Sequence, residues 1–315
     1  VAEGREGWLF LQNDTNDVVG QHEGRVTLGG SASSWASLFQ RRVEVAKRLG
    51  FAWACEIAPD KQAVYPELAP AAFSPAPSRP VHDVLDLGEA AGADTSYLLD
   101  DLLAVKDEAE VYPRIDTHWN HLGSYAAYLA ICRRLRHRGI EVPAIERSAI
   151  SWETTESGGD LGSKLEPRRT GPIVSASVPE GRGRLVADNR VQHTGRVIAF
   201  ENSEAELPSC VVFGESFAYH LLVFLAESFR RVAFVHTSAL IEEVIAAERP
   251  DVVVSVPTER FLIRPPEDEG ALRSLHRITE AKLAENRLVM FDPTIDLLRR
   301  GNDGPGRLAN GELPW

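Results

Sequence analysis

Apolar positions along the chain change period repeatedly, and each change marks a structural element. Between residues 34 and 49, Trp35, Leu38, Phe39, Val43, Ala46 and Leu49 recur at helical spacing before Gly50, which predicts a helix with one buried face and a glycine stop. A strand over 51–57 follows directly. Ala58-Pro59-Asp60-Lys61 reads as a turn, and the Pro-, Ala- and Ser-rich passage to Pro80 reads as loop. Residues 109–115 read as a further strand. Leu122, Tyr125, Ala126, Leu129, Cys132 and Leu135 then form the stripe of a helix that Gly139 ends.

From 151 to 194, Gly, Pro and Arg are frequent and no period holds, so an irregular excursion or small insertion is expected there. Regular alternation resumes with strands over 196–200, 210–213, 232–236, 251–256 and 288–291, separated by helices near 217–229, 238–248 and 268–285. Strands alternating with helices on this scale predict an α/β fold with a mostly parallel sheet covered on both faces. The whole chain, 1–315, reads as one domain carrying the insertion at about 151–194, without an internal repeat.

Two of the places where a β-like run gives way to a helical one carry chemistry. Cys210-Val211-Val212-Phe213 leads through Gly214-Glu215 to Ser216-Phe217, so Ser216 falls on a strand-turn-helix corner. Such a corner pushes a hydroxyl out at the sheet rim and aims the first N–H groups of the helix at any oxygen that turns negative there. A serine at its free pKa is a poor nucleophile and needs a base. Asp116-Thr117-His118-Trp119 leaves the end of the 109–115 run and offers one, with Asp116 spaced to accept the imidazole Nδ1–H and leave Nε2 facing a serine. In a parallel sheet both strings would reach one rim. Each string alone also has a plain structural reading, the aspartate as a helix cap and the glycine-serine turn as an ordinary corner.

Composition narrows the partners. A formal charge of −12 opposes nucleic-acid binding, which needs a basic face. A local strip from Lys164 to Arg196, with Arg168, Arg169, Arg182, Arg184 and Arg190 between, is net positive; it reads either as steering for an anionic substrate or, more simply, as a solvated loop. No run approaches the length of a membrane span and the first residues lack the form of a signal peptide. The absence of an initiator Met points to a processed or trimmed start, upstream of which a signal or anchor would be invisible. Cys55, Cys132 and Cys210 have neither zinc-ligand spacing nor an even count, and read as buried free thiols.

A set of strings, in order, resembles the SGNH-hydrolase-like branch of the alginate O-acetyltransferase family. They are Gly4-Arg5-Glu6-Gly7-Trp8-Leu9-Phe10, Pro59-Asp60-Lys61 with Tyr65-Pro66-Glu67, Asp116-Thr117-His118-Trp119-Asn120, Gly159-Asp160-Leu161, Gly214-Glu215-Ser216-Phe217 and Glu259-Arg260. The resemblance implies a flavodoxin-like, three-layer α/β sandwich with Asp116, His118 and Ser216 as a triad acting on hydroxyls of an envelope polysaccharide. It also implies a periplasmic or cell-envelope setting, with the cytoplasm left open. Two departures are Glu215, where the family commonly has Asp or a small residue, and the lack of sequence for a carbohydrate-binding module after the catalytic part, which leaves a small glycoside or metabolite acceptor in play.

The expected chemistry is serine-dependent O-acyl transfer, with the Ser216 and Phe217 N–H groups as oxyanion donors and Trp119, Asn120 and Arg260 as further contacts. Asn120 reads equally as a helix cap and Arg260 as an ion-pair partner. The partners would be an acyl donor, small molecule or protein, and a carbohydrate or small-metabolite acceptor, with no cofactor and no metal. Discharge of the acyl-enzyme by water would instead make an esterase or deacetylase from the same residues. Two other classes of answer are a metal-dependent hydrolase built on Asp116, His118 and His121, and a binding module that has lost its chemistry.

Overall fold

The computed structural model describes residues 1–289. Seven strands form the central sheet: β1 (Ala52–Ile57), β2 (Thr95–Tyr97), β3 (Arg184–Asp188), β4 (Val197–Glu201), β5 (Ser209–Gly214), β6 (Arg231–His236) and β7 (Val252–Val256), in the spatial order β2-β1-β7-β5-β6-β4-β3. The first five run parallel. At the other edge β4 is antiparallel to both β6 and β3, so the 196–200 run is a strand of reversed direction.

β5 holds the middle of this sheet because its side chains are apolar on both faces. Cys210 and Val212 enter one buried cluster with Ala54, Val254 and Phe234. Val211 and Phe213 enter the other with Trp53, Val253 and Ala233. A continuous apolar run is what a strand covered on both sides requires. Register then sets the rim: Gly214 lies level with His236 on one neighbour and Val256 on the other, so the chain leaves the sheet centre there.

The helix read over 34–49 is Ser31–Leu49, with Trp35, Leu38, Phe39 and Ala46 buried; Leu49, assigned to the same face, is exposed at the last turn. The stripe beginning at Leu122 is the helix His121–His137. The expected 217–229 helix is two short ones, Ser216–Tyr219 and Leu222–Ser228. The helices read near 238–248 and 268–285 are Glu242–Glu248 and Ala271–Ala284.

Three expectations need correction. Residues 109–115 form no strand. Their backbone groups are satisfied elsewhere: the Val111 N–H donates to Tyr65 Oη at 2.9 Å, the Val111 carbonyl accepts from Asn120 N at 3.0 Å, and the Arg114 carbonyl accepts from Leu9 N at 2.8 Å. Pro113 brings no N–H to a ladder. The passage to Pro80 is not all loop, since Lys61–Val64 and Pro66–Leu68 are helical turns. Nor is 151–194 irregular: Ser151–Ser157 and Gly171–Ser177 pair antiparallel, and β3 joins the central sheet. The Ser151–Ser157 strand is polar and largely exposed, which is why it carried no hydrophobic period. Of the 288–291 strand, Leu288 makes one bridge to Val191, while Phe291, like the rest of 290–315, lies outside the described residues.

Among the described residues no helix is long and apolar enough to cross a membrane. The three cysteines are buried free thiols, and burial pushes Cys55 and Cys132 up to about 12 and Cys210 in the same direction.

Candidate active site

The serine corner is built from backbone crowding. A Cβ on Gly214 would stand 2.6 Å from Ala218 Cβ and 2.9 Å from the Val256 carbonyl oxygen, so only glycine lets the helix start so close to the strand end. Glu215 follows in extended conformation and Ser216 opens the helix Ser216–Tyr219. Glu215 anchors the turn laterally: its Oε2 accepts from Thr258 N at 3.1 Å and Thr258 Oγ1 at 3.3 Å, just past the end of β7. Burial pushes the Glu215 carboxyl above its ordinary value, against the pull of those hydrogen bonds.

Asp116 and His118 come from a loop, not a strand end, yet they meet this corner. His118 Nε2 lies 2.7 Å from Ser216 Oγ, and His118 Nδ1 lies 2.8 Å from Asp116 Oδ1, which also accepts the His118 backbone N–H at 2.9 Å. With Nδ1–H donated to the carboxylate, Nε2 is left as the acceptor for the serine proton. The other oxygen of Asp116 accepts from Asp160 N at 2.9 Å. Burial alone would push the Asp116 carboxyl up, but the bond and charge of His118 and the two backbone N–H groups hold it well below the usual carboxylate range. Asp116 therefore stays ionised beside the imidazole.

The loop is clamped from several directions. Asp160 accepts from Thr117 N at 2.7 Å and Thr117 Oγ1 at 2.6 Å. Gly159 before it has φ +56°, and a Cβ there would lie 2.5 Å from the Ile115 carbonyl oxygen and 2.9 Å from Asp116 Oδ2. Buried Lys61 donates to the carbonyls of Leu9 at 3.0 Å and Arg114 at 3.2 Å. Its burial brings the ammonium down to about 7, opposed by the negative charges of Asp116 and Asp160. The Leu9, Lys61 and Gly159-Asp160 contacts give three of the resembling strings one common physical task, holding the loop that carries His118.

The remaining predicted residues have structural partners. Trp119 donates its Nε1–H to the Phe217 carbonyl at 3.1 Å, and His220 Nδ1 bonds the Trp119 carbonyl at 2.9 Å, so two bonds besides His118–Ser216 tie loop to corner. Asn120 Oδ1 caps the His121–His137 helix through Leu122 N and Gly123 N, and its Nδ2 donates to the Glu110 carbonyl. Arg260 is buried, donates to Asp60 Oδ1 at 2.5 Å and sits 5.5 Å from the centre of the Phe217 ring. His121 does not gather with Asp116 and His118 as a ligand set; it stacks on His220 with ring centres 5.3 Å apart. The basic strip is largely consumed by local contacts, among them Arg169 with Glu3, Arg196 with Asp188 and Arg184 with the Gly181 carbonyl. Asp160, Lys61 and Thr117 were missed as site residues, although all three lie inside strings that carried the resemblance.

This arrangement, an oriented imidazole on a serine at a helix start, is equipped for nucleophilic acyl chemistry. Residues 1–234 match the family described as ALGX: SGNH hydrolase-like domain, acetyltransferase AlgX. The chain belongs to that family. Among curated relatives of this SGNH hydrolase-like chain is the probable alginate O-acetylase AlgJ of Pseudomonas aeruginosa, 28% identical over 170 residues, which are 52% of this chain and 41% of that protein. The match thus spans about two fifths of the relative's length. Among solved structures, the O-acetyltransferase domain of Pseudomonas putida AlgJ aligns with TM-score 0.56 and 17% identity over 96% of this chain and 99% of that one. A DHHW family protein from Eubacterium siraeum aligns with TM-score 0.60 and 14% identity over 85% and 93%. At such identities the likeness is one of fold.

Proposed function

We propose that this chain is a serine-dependent O-acyltransferase, specifically an O-acetyltransferase, that modifies a carbohydrate or glycoside hydroxyl through Ser216, His118 and Asp116, on a flavodoxin-like three-layer sandwich. The observation that carries the reading is the continuous run of contacts from Asp116 Oδ1 through the imidazole to Ser216 Oγ, at 2.8 and 2.7 Å. Family membership supports the acetyl group, and the AlgJ relatives support a polysaccharide acceptor.

In this mechanism His118 Nε2 takes the Ser216 proton as Oγ attacks the acetyl carbonyl of the donor. The N–H groups of Ser216 and Phe217 hold the oxyanion, each well-placed donor contributing about 2.7–4 kcal/mol. Collapse expels the donor's leaving group with the proton from His118, leaving an acetyl-serine. The acceptor hydroxyl then gives its proton to His118 and attacks the same carbonyl, which releases Ser216 and the new ester. Asp116 keeps the imidazole in the required tautomer and stabilises it when it carries the extra proton.

Water in place of the acceptor would give an esterase. The test incubates the protein with an activated acetyl ester, with and without candidate glycosides, and reads intact mass and products. The expected result is a mass gain of one acetyl group on Ser216, chased onto the glycoside and absent in Ser216→Ala, whose circular dichroism is unchanged. Hydrolysis indifferent to every acceptor would favour the esterase, and undiminished turnover by Ser216→Ala would remove both readings.

A further inference from the structure

Beneath the serine corner lies a second polar cluster that the acyl-transfer chemistry does not use. His22 ends the short helix Val18–His22, Asp60 follows the turn after β1, and Glu259 follows β7; all three are buried, at 1%, 2% and 3% exposure. Their inward-facing atoms converge: His22 Nε2 is 3.7 Å from Asp60 Oδ2 and 3.8 Å from Glu259 Oε2. These separations are too long for hydrogen bonds. Both ring nitrogens of His22 and Oδ2 of Asp60 lack a hydrogen-bond partner among the described residues. Of these, His22 Nε2 and Asp60 Oδ2 face each other at one buried spot and point to a ligand there, because leaving them unmet costs about 1–3 kcal/mol each.

We propose that His22, Asp60 and Glu259 bind a divalent transition-metal ion of the zinc class. The donor set, one imidazole and two carboxylates, suits such a cation. Distances decide between an ion and a water. A centre about 2.2 Å from each atom sees His22 Nε2 and either carboxylate oxygen, 3.7 and 3.8 Å apart, at roughly 115–120°, near the tetrahedral angle, whereas a water at about 2.8 Å would see the same two pairs at a cramped ~80–85°. The carboxylates are also held from behind, as metal-binding carboxylates usually are. Arg260 donates to Asp60 Oδ1 and Arg79 to Glu259 Oε1 at 3.0 Å, which leaves Asp60 Oδ2 without a partner, while Glu259 Oε2 is fixed beside His22 by accepting from Asp60 N at 2.9 Å and Tyr97 Oη at 2.8 Å. These arginines balance the two carboxylates, so the ion brings its own charge and takes a water or hydroxide as fourth ligand. Bound there, it would tie the N-terminal segment to the ends of β1 and β7. Through Arg260 over the Phe217 ring, it would also stiffen the floor of the serine corner.

The test dialyses the chelator-treated full chain against Zn2+, measures bound metal by elemental analysis and titrates the same protein by calorimetry. One Zn2+ per chain is expected, with a raised Tm, and His22→Gln should weaken binding at least tenfold. His118→Ala should bind as tightly as the parent, which separates this cluster from Asp116, His118 and Asp160, the other group with ligand spacing among the described residues. Co2+ added to the unaltered protein should give the strong visible absorption of a tetrahedral site, a readout that stands even if His22→Gln fails to fold. Substoichiometric zinc, absence of that absorption, or equal affinity in a folded His22→Gln would overturn the site.

Discussion

At the scale of single residues, the site is organised around keeping one imidazole in one tautomer. Asp116 does so directly, and its depressed pKa has a definite sign. Its share of stability is present above the unfolded carboxylate pKa and is lost only as pH falls through the lower folded value. Asp116→Asn keeps the shape but offers an amide that can satisfy the wrong tautomer. Its kcat should therefore fall by roughly 10³–10⁴ with little change in KM, as steady-state kinetics would reveal. Asp160 acts one step further out. Its backbone N–H bond to Asp116 does not depend on its side chain, whereas Asp160→Ala removes both bonds that Thr117 makes to its carboxylate. Loosening of the loop should then cost roughly 10–100-fold in kcat, and Asp160→Asn should recover part of it. An unchanged kcat in Asp160→Ala would remove it as a positioning residue.

At the scale of elements, the segment leading to Asp116 and His118 is held by side chains where a strand ladder was expected. Its alternating apolar look comes from Val111 and Ile115 being buried against different neighbours, not from membership of a sheet. Tyr65 is one of those side chains, with its hydroxyl on the Val111 N–H. Tyr65→Phe leaves that buried N–H unmet and should destabilise the chain by about 1–3 kcal/mol, measurable by urea denaturation. A variant as stable as the parent would show that the segment does not depend on this bond. The serine corner is the opposite case. There a central strand, a glycine and a helix start follow one another in sequence, so their placement is local.

At the scale of the whole molecule, buried titratable groups set the response to acid. Burial lowers His121 and His236 to about 3, helped by the neighbouring charges of His220 and His193 respectively. Because their folded values lie below the unfolded value of 6.5, the unfolded chain binds more protons between pH 6.5 and 3, and stability falls as pH drops through that window. Glu56 works the other way. Burial raises it to about 7 despite its ion pair with Arg134, so it gains stability on acidification from pH 7 to 4.5 and nothing further below. The unfolding free energy should thus decline gently from pH 6.5 to 4.5 and steeply from 4.5 to 3. Each histidine contributes at most about 1.4 kcal/mol per pH unit there. Denaturant titrations across pH test this, and His121→Phe should flatten the acid limb.

Periodicity and residue order were enough to indicate a mostly parallel α/β sheet, the Ser31–Leu49 and His121–His137 helices, the central strand leading to Ser216, and the Asp116-x-His118 pairing. Each of these depends on contacts between near neighbours, or on a strand whose two faces are both apolar. What folding alone decided is non-local. The polar Ser151–Ser157 strand and the edge strand β3 take their identity from partners, not from their own pattern. The 109–115 segment left the sheet because its backbone found Tyr65, Asn120 and Leu9 instead. Asp160 reached Thr117, and His22 reached Asp60 and Glu259, across separations that no spacing in the chain encodes. Side-chain period reports which face of an element is buried; it carries no record of which distant polar atom will meet it there.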